Sequence, residues 1–279
     1  PIYAKIADRL KKISRKVVIT PWGSDVLRAK KYQLRGLRKL VQKSNWVTCT
    51  QGSRFEKDIV TLLDIPKEKL YNLPIGIASI DEILSRPFIT DEQAKRVWGF
   101  EGKYVIVIGY NGSPAHNHIK VIKSLVFMKK QLPTNTILVC PMTYGGNPVY
   151  RKKIKRLLWN SQFENQILEN YLTAEELVCL RKATDLFIHA QNTDANSGTI
   201  AEYLLCRKKI VNPTWITYPH YETYGSPFYS FSNFEELPQA IMKAINDTSN
   251  KVSPLLTGNI SESGWSKLAC KWVELYKKY

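Results

Sequence analysis

The chain has 279 residues, room for two domains of roughly 100–150 residues each. With 44% hydrophobic and 23% charged residues it reads as an ordinary globular protein, neither disordered nor fibrous. No apolar run approaches the roughly 18 residues that a membrane-spanning helix needs, and the net charge of +17 points to an anionic partner.

That charge is uneven. Residues 1–45 hold 13 Lys or Arg against 2 acids, which leaves only +6 of the +17 for the rest. Such a block suits nucleic acid, acidic lipid headgroups or phosphate-bearing substrates, or is simply a solvated helical face. Five scattered cysteines without a CxxC pair, and four histidines at no zinc-ligand spacing, read as buried thiols in a reducing cytoplasm. No secretory signal is visible, and the start at Pro1 rather than Met reads as a processed or cut form.

In chain order, residues 3–15 read as a basic helix and "KVVIT" (16–20) as a buried strand. "PWGSD" is a turn, and helical periodicity returns over 26–44. "WVTCT" (46–50) is a strand, 53–63 a helix, and "KLYNLPIGI" (69–77) a strand ending in a turn. Residues 78–102 read as a polar connector. The alternation then restarts, with strands at "KYVIVIGYNG", "TILVCPM", "QILENYL", "DLFIHA" and "KKIVNPT". Helices are expected over 116–130, 148–159, 173–183 and 234–247, and the tail puts Trp265, Leu268, Trp272, Val273 and Tyr276 on one stripe. Strand alternating with helix predicts parallel sheets covered on both faces: two Rossmann-like doubly wound α/β domains. The expected bounds are 1–86, 87–262 and a C-terminal helix over 263–279 returning to the first domain. With about three strands, the first domain reads as incomplete, its N-terminal half missing from this chain.

Ligands in open parallel sheets bind beyond the carboxyl ends of the strands. Three loops of the second unit end there. "GYNGSPAHNH" (109–118) brings Gly109, Asn111, Gly112, Ser113, Asn117 and His118, with Lys120 further on; it lacks G-x-G-x-x-G and a Walker lysine. "CPMTYGGN" (140–147) brings Tyr144. The third, "HAQNTDANSGTIAEYLL" (189–205), is the most informative. A helix starting near Ser197 would aim the amides of Ser197, Gly198, Thr199 and Ile200 outward, an anion site. Glu202, one turn deeper, could accept bonds from vicinal ribose hydroxyls, and Asp194 from a sugar. A capped helix with solvated acids explains the same pattern, and the residues alone leave both readings open.

The pattern Asp194-x7-Glu202 followed by "YLLCRKKIV" resembles the E-x7-E segment of family-4 glycosyltransferases of the GT-B fold, with Asp in place of the first Glu. "LENYLTAEELVCLRKATDLF" is similar to their stretch bordering the nucleobase, which implies roles there for Tyr171 and Leu172, and "KLYNLPIGI" to the end of their N-terminal domain. "TPWGSDVL", "YNGSPAHNHI" and "VCPMTYGGNPVY" resemble segments of bacterial N-acetylfucosaminyltransferases, which act on a lipid carrier. Together these matches span about residues 17–212.

The resemblance implies a glycosyltransferase that takes a UDP-, GDP- or dTDP-sugar and a lipid-linked acceptor, with retention of configuration. It implies bacterial surface polysaccharide synthesis, at the inner face of the cell membrane, where residues 1–45 would meet anionic lipid. Asn196, Ser197, Gly198, Thr199 and Glu202 would hold the donor; Trp22 and Gly23 would lie on the acceptor side. Asp194 and Asp25 are the catalytic candidates. Of the Arg and Lys with which the family grips diphosphate the Arg is absent here; the resemblance leaves the hydroxyl, amide and imidazole donors of Asn111, Ser113, His116, Asn117 and His118 to replace it, or Lys120 to reach in. No Asp-x-Asp occurs, so no metal or other cofactor is expected. A nucleotide-sugar epimerase on the same fold, an inactive binding domain and a basic nucleic-acid-binding protein are the rivals; nucleic acid is not expected as a partner, since no motif for it appears.

Overall fold

A computed structural model describes residues 6, 9, 10, 12–14 and 16–277. The expected basic helix over 3–15 therefore lies mostly outside the described residues.

The first unit has a parallel sheet of β1 (Val18–Ile19), β2 (Trp46–Cys49) and β3 (Leu70–Asn72), in that order. Helices Lys31–Lys43 and Arg54–Leu63 cover it. Phe55, Ile59 and Leu63 recur one turn apart, so one face of the second helix is buried. Ser53 caps that helix, its Oγ accepting from the Glu56 amide at 3.1 Å. The single helix expected over 26–44 is instead two, Ser24–Leu27 and Lys31–Lys43, because the chain leaves helical geometry at Arg28, where φ is −111°.

The second unit has six parallel strands: β4 (Tyr104–Ile108), β5 (Thr136–Pro141), β6 (Glu164–Leu168), β7 (Leu186–Ile188), β8 (Lys209–Pro213) and β9 (Phe228–Phe231). Their order is β6-β5-β4-β7-β8-β9, so chain direction across the sheet reverses between β4 and β7. Alternation along β4 shows why the strand is apolar throughout. Val105 and Val107 enter the core on one face, Ile106 and Ile108 the core on the other. Strand β9 and the helices Pro219–Glu222 and Pro254–Ser261 were not expected from the sequence.

The expected connector over 78–102 is a correction. It contains helices Ala78–Leu84 and Asp91–Trp98, the latter started by a reciprocal Thr90–Gln93 capping box. Ile80 and Ala94 are fully buried in the second unit's core, and Lys182 Nζ donates to the carbonyls of Arg86 and Ile89 at 2.7 Å each. By packing, the second unit thus begins before the expected boundary at 86/87. Helix Trp265–Lys277 reaches back to the first unit, with Trp272 Nε1 donating to Pro74 O at 3.0 Å. Cys49, Cys140 and Cys179 are buried, Cys206 is half-buried, and Cys270 is exposed, contrary to the expectation for all five. No helix among the described residues is long and apolar enough to cross a membrane.

Candidate active site

A cavity of about 1220 Å³ opens between the units, beyond the carboxyl ends of β4 and β7. This is the switch point of the sheet, where helices leave on opposite faces and a crevice must form.

Helix Gly198–Leu205 begins at the cavity wall. Its first hydrogen-bonded amide among the described residues is that of Ala201, which donates to Ser197 O at 3.2 Å. The amides of Ser197, Gly198, Thr199 and Ile200 have no acceptor among the described residues, as the start of an α-helix requires. Ser197, Gly198 and Thr199 line the cavity. Aligned peptide dipoles give this end about half a positive charge.

Glu202 also lines the cavity, yet it is buried and already bonded. Its Oε2 accepts from Arg181 Nε at 2.7 Å, and its Oε1 from the Ser79 hydroxyl. Arg181 is itself buried and continues to Tyr203 Oη at 3.2 Å. Asp194 is similarly engaged. Its Oδ1 accepts from the Ala195 amide at 2.8 Å and its Oδ2 from Tyr218 Oη at 2.6 Å. His189 Nε2 stands 3.3 Å from the same Oδ2.

The ring of His189 is fixed on both sides. Nδ1 faces Asn212 Oδ1 at 2.8 Å, and the Asn212 amide nitrogen is held by Pro213 O and Ile216 O. Nε2 faces two acceptors, Asp194 and Gln191 Oε1 at 3.2 Å. Both nitrogens thus face oxygen acceptors, an arrangement that favours the protonated ring. Burial opposes that charge, but the Asp194 hydrogen bond and charge, with Asn212 and Gln191, hold its pKa above the ordinary 6.5.

The first loop departs from its expected role in part. Asn111 and Ser113 line the cavity, but the Ser113 amide donates to Asn111 Oδ1 at 2.8 Å. Gly109 and Gly112 do not line it. At Gly112 a close approach to protein, not ligand, excludes a side chain: its amide donates to Tyr144 O at 2.7 Å, and a Cβ would lie 2.8 Å from Gly145 O. Asn117 binds Ala190 O and Asn192 Oδ1, holding the two loops together, and does not line the cavity. His118 is buried beneath the loop against Tyr150 Oη, its pKa pushed down to about 4 by burial. Lys120 points elsewhere, its Nζ 4.5 Å from the Phe234 ring centroid, a cation–π contact. Tyr144 lines the cavity and stacks on exposed Tyr171, centroids 6.2 Å apart and rings 5° from parallel; Leu172 packs into the core behind.

From the first unit, Trp22 lines the cavity and is 74% exposed. Asp25 does not line it. Its carboxylate accepts from the Trp22 amide at 3.0 Å and closes the turn before helix Ser24–Leu27. Gly23 has φ 103° and presses on the donor loop; a Cβ there would lie 2.5 Å from Ala195 Cβ. Asn196 bridges as well, Nδ2 donating to Thr50 Oγ1 at 2.9 Å while Oδ1 faces His220 Nε2 at 2.9 Å.

This arrangement matches known structures. Over 99% of this chain and 71% of theirs, sucrose-phosphate synthase from Thermosynechococcus elongatus superposes with a TM-score of 0.72 at 14% identity. HepE of Anabaena, solved with UDP and glucose, gives 0.73 at 16% identity over 99% and 75%. WaaG, a glycosyltransferase involved in lipopolysaccharide biosynthesis, gives 0.66 at 15% identity over 98% and 81%. The fold is GT-B. No protein-family model matches the chain, and no curated protein matches it by sequence. Within the GT-B architecture the cavity is the cleft between the two Rossmann-like units.

His189, Tyr218, Arg181, Ser79 and Thr50 were not singled out from sequence. Only His189 carried a signal, a polar residue at the carboxyl end of a buried strand. The others lie distant in the chain from the acids and amide they bind.

Proposed function

We propose that the protein is a glycosyltransferase that moves a sugar from a nucleotide-sugar to a glycan acceptor. One observation carries this: helix Gly198–Leu205, whose first amides have no acceptor among the described residues, opens with Ser197, Gly198 and Thr199 on a cleft at the switch point of a GT-B fold. These amides would bind the diphosphate, stabilising the negative charge that develops as it leaves. A carboxylate offers about four acceptor positions. Arg181 and Ser79 take two from Glu202, leaving capacity for vicinal ribose hydroxyls. Three neighbours occupy Asp194, leaving one position for a hydroxyl of the transferred sugar. The Tyr144–Tyr171 pair offers a stacking surface for the base.

The finer reading is a hexosyl transfer with retention, without a metal, to a lipid-linked acceptor in bacterial surface polysaccharide synthesis. Support for a cytoplasmic membrane-surface location comes from helix Lys31–Lys43, where Lys31, Arg35 and Lys39 are exposed at four-residue spacing. Attraction to anionic lipid adds about 1 kcal/mol per nearby Lys or Arg.

Gly198→Pro tests the anion site. Proline is at home in the first helical position, Ser197 already has the extended backbone (φ −65°, ψ 118°) that precedes proline, and a Cβ at 198 meets only Ile77 at 3.4 Å. The variant loses one amide and keeps the helix. In a thermal-shift screen of UDP, GDP and dTDP, one nucleotide stabilises the native chain and the variant responds less. No response by the native chain to any of them refutes the reading. Product analysis with and without acceptor separates transfer from epimerisation.

A further inference from the structure

A nucleoside diphosphate brings two to three negative charges, more than one helix terminus offsets. Among the described residues lining the cavity, one is a cation, and it belongs to the first unit: Arg28. The second unit's nearby cations are engaged elsewhere. Lys120 covers the Phe234 ring, and Arg181 lies buried behind Glu202.

Arg28 extends across the cleft. Its Nε donates to Thr193 Oγ1 at 2.9 Å and its Nη2 to Thr193 O at 3.0 Å, four residues before the open amides. Two of its five N–H donors are thereby used, and the other three have no partner among the described residues. Its field reaches the first loop as well: after burial and the neighbouring His118 and His189, Arg28 is among the causes that push buried His116 down to about 2. The guanidinium is thus held on the loop that follows β7, at the cavity wall.

Resting on the nucleotide-sugar reading above, we propose that Arg28 is the diphosphate's cationic ligand, so that the donor site is completed from the opposite unit. Thr193 aims the fork, and the unspent donors engage phosphate oxygens. A consequence is coupling: bound diphosphate ties the units together, and closure of the cleft raises affinity for it.

Calorimetric titration with UDP, GDP and dTDP, each beside its own nucleoside, tests this in the native chain, Arg28→Ala and Arg28→Lys. Arg28 is exposed, so the variants are expected to fold, and unliganded thermal unfolding checks it. Arg28→Ala weakens the diphosphate about tenfold to hundredfold, the range for hydrogen bonds to charged groups, and leaves the nucleoside unchanged. Arg28→Lys falls between, since it keeps the charge but loses the fork. Diphosphate binding by Arg28→Ala equal to the native chain's overturns the proposal and leaves the nucleotide reading standing. Equal weakening of nucleoside and diphosphate also overturns it, because Arg28 would then act only through the cleft's architecture. Absence of diphosphate binding by the native chain overturns both.

Discussion

The two units differ in how they hold themselves together. In the second, a six-stranded sheet separates two extensive cores, and its central strands are buried on both faces. Among the described residues the first has three short strands and one much smaller core, to which Ala195, a residue of the second unit's donor loop, contributes. A small core stabilises weakly because little of its surface is removed from water. The first unit is therefore held partly by the loop that also shapes the site, through Gly23 on Ala195, Thr50 on Asn196 and Arg28 on Thr193. Stability of the smaller unit and geometry of the cleft are one property.

The largest expected effect is in the larger unit. Glu202→Ala strands Arg181 as a buried unpaired charge and should cost about 3–5 kcal/mol of the global stability measured by urea unfolding. Glu202→Gln, which keeps an acceptor for Ser79, should cost less, and is the better variant for asking about ribose. A near-zero cost for Glu202→Ala would mean that the Arg181 pair does not support the second core.

Next comes acid. His118 and His220, pushed to about 4 by burial, stay neutral in the folded chain while their unfolded counterparts protonate near 6.5. Stability should fall by on the order of a few kcal/mol as pH drops from about 6.5 to about 4. His189 runs the other way: its raised pKa makes its contribution full below about 6.5 and lost as pH rises through the folded value. Comparing Tm against pH for the native chain and His118→Gln isolates the first slope; an unchanged profile would remove His118 from it.

The smallest effect should be the most local. Gly23→Ala adds a methyl at φ 103° against Ala195 and should cost about 1–3 kcal/mol. Hydrogen exchange should rise in β1–β3 while β4, β5, β7 and β8 keep their protection. Uniform loss of protection across both sheets would show that the units unfold together and would break the comparison.

The parallel α/β plan was legible because buried strands such as "YVIVI" are continuous apolar runs, and helix faces such as Phe55, Ile59 and Leu63 repeat each turn. Helices Ala78–Leu84 and Asp91–Trp98 were not, because each is short and gives only one or two side chains to the core. The open amides at 197–200 were foreseen from Ser-Gly-Thr before an apolar helix. That Asp194 and Glu202 are already bonded within the protein was hidden, because Tyr218 lies 24 residues from the one and Ser79 123 from the other.

Local sequence by itself determined strands β1–β8, the helix that opens on the cleft and the two acids flanking its start, since periodicity and capping act over a few neighbouring residues. Tertiary structure alone decided which side-chain donors were free. It turned Lys120 toward Phe234, locked Asn117 between loops, paired Glu202 with Arg181 and brought Arg28 from the other unit to the cavity. A hydrogen bond or an ion pair depends on distances of about 3 Å in space, and separation along the chain does not encode them.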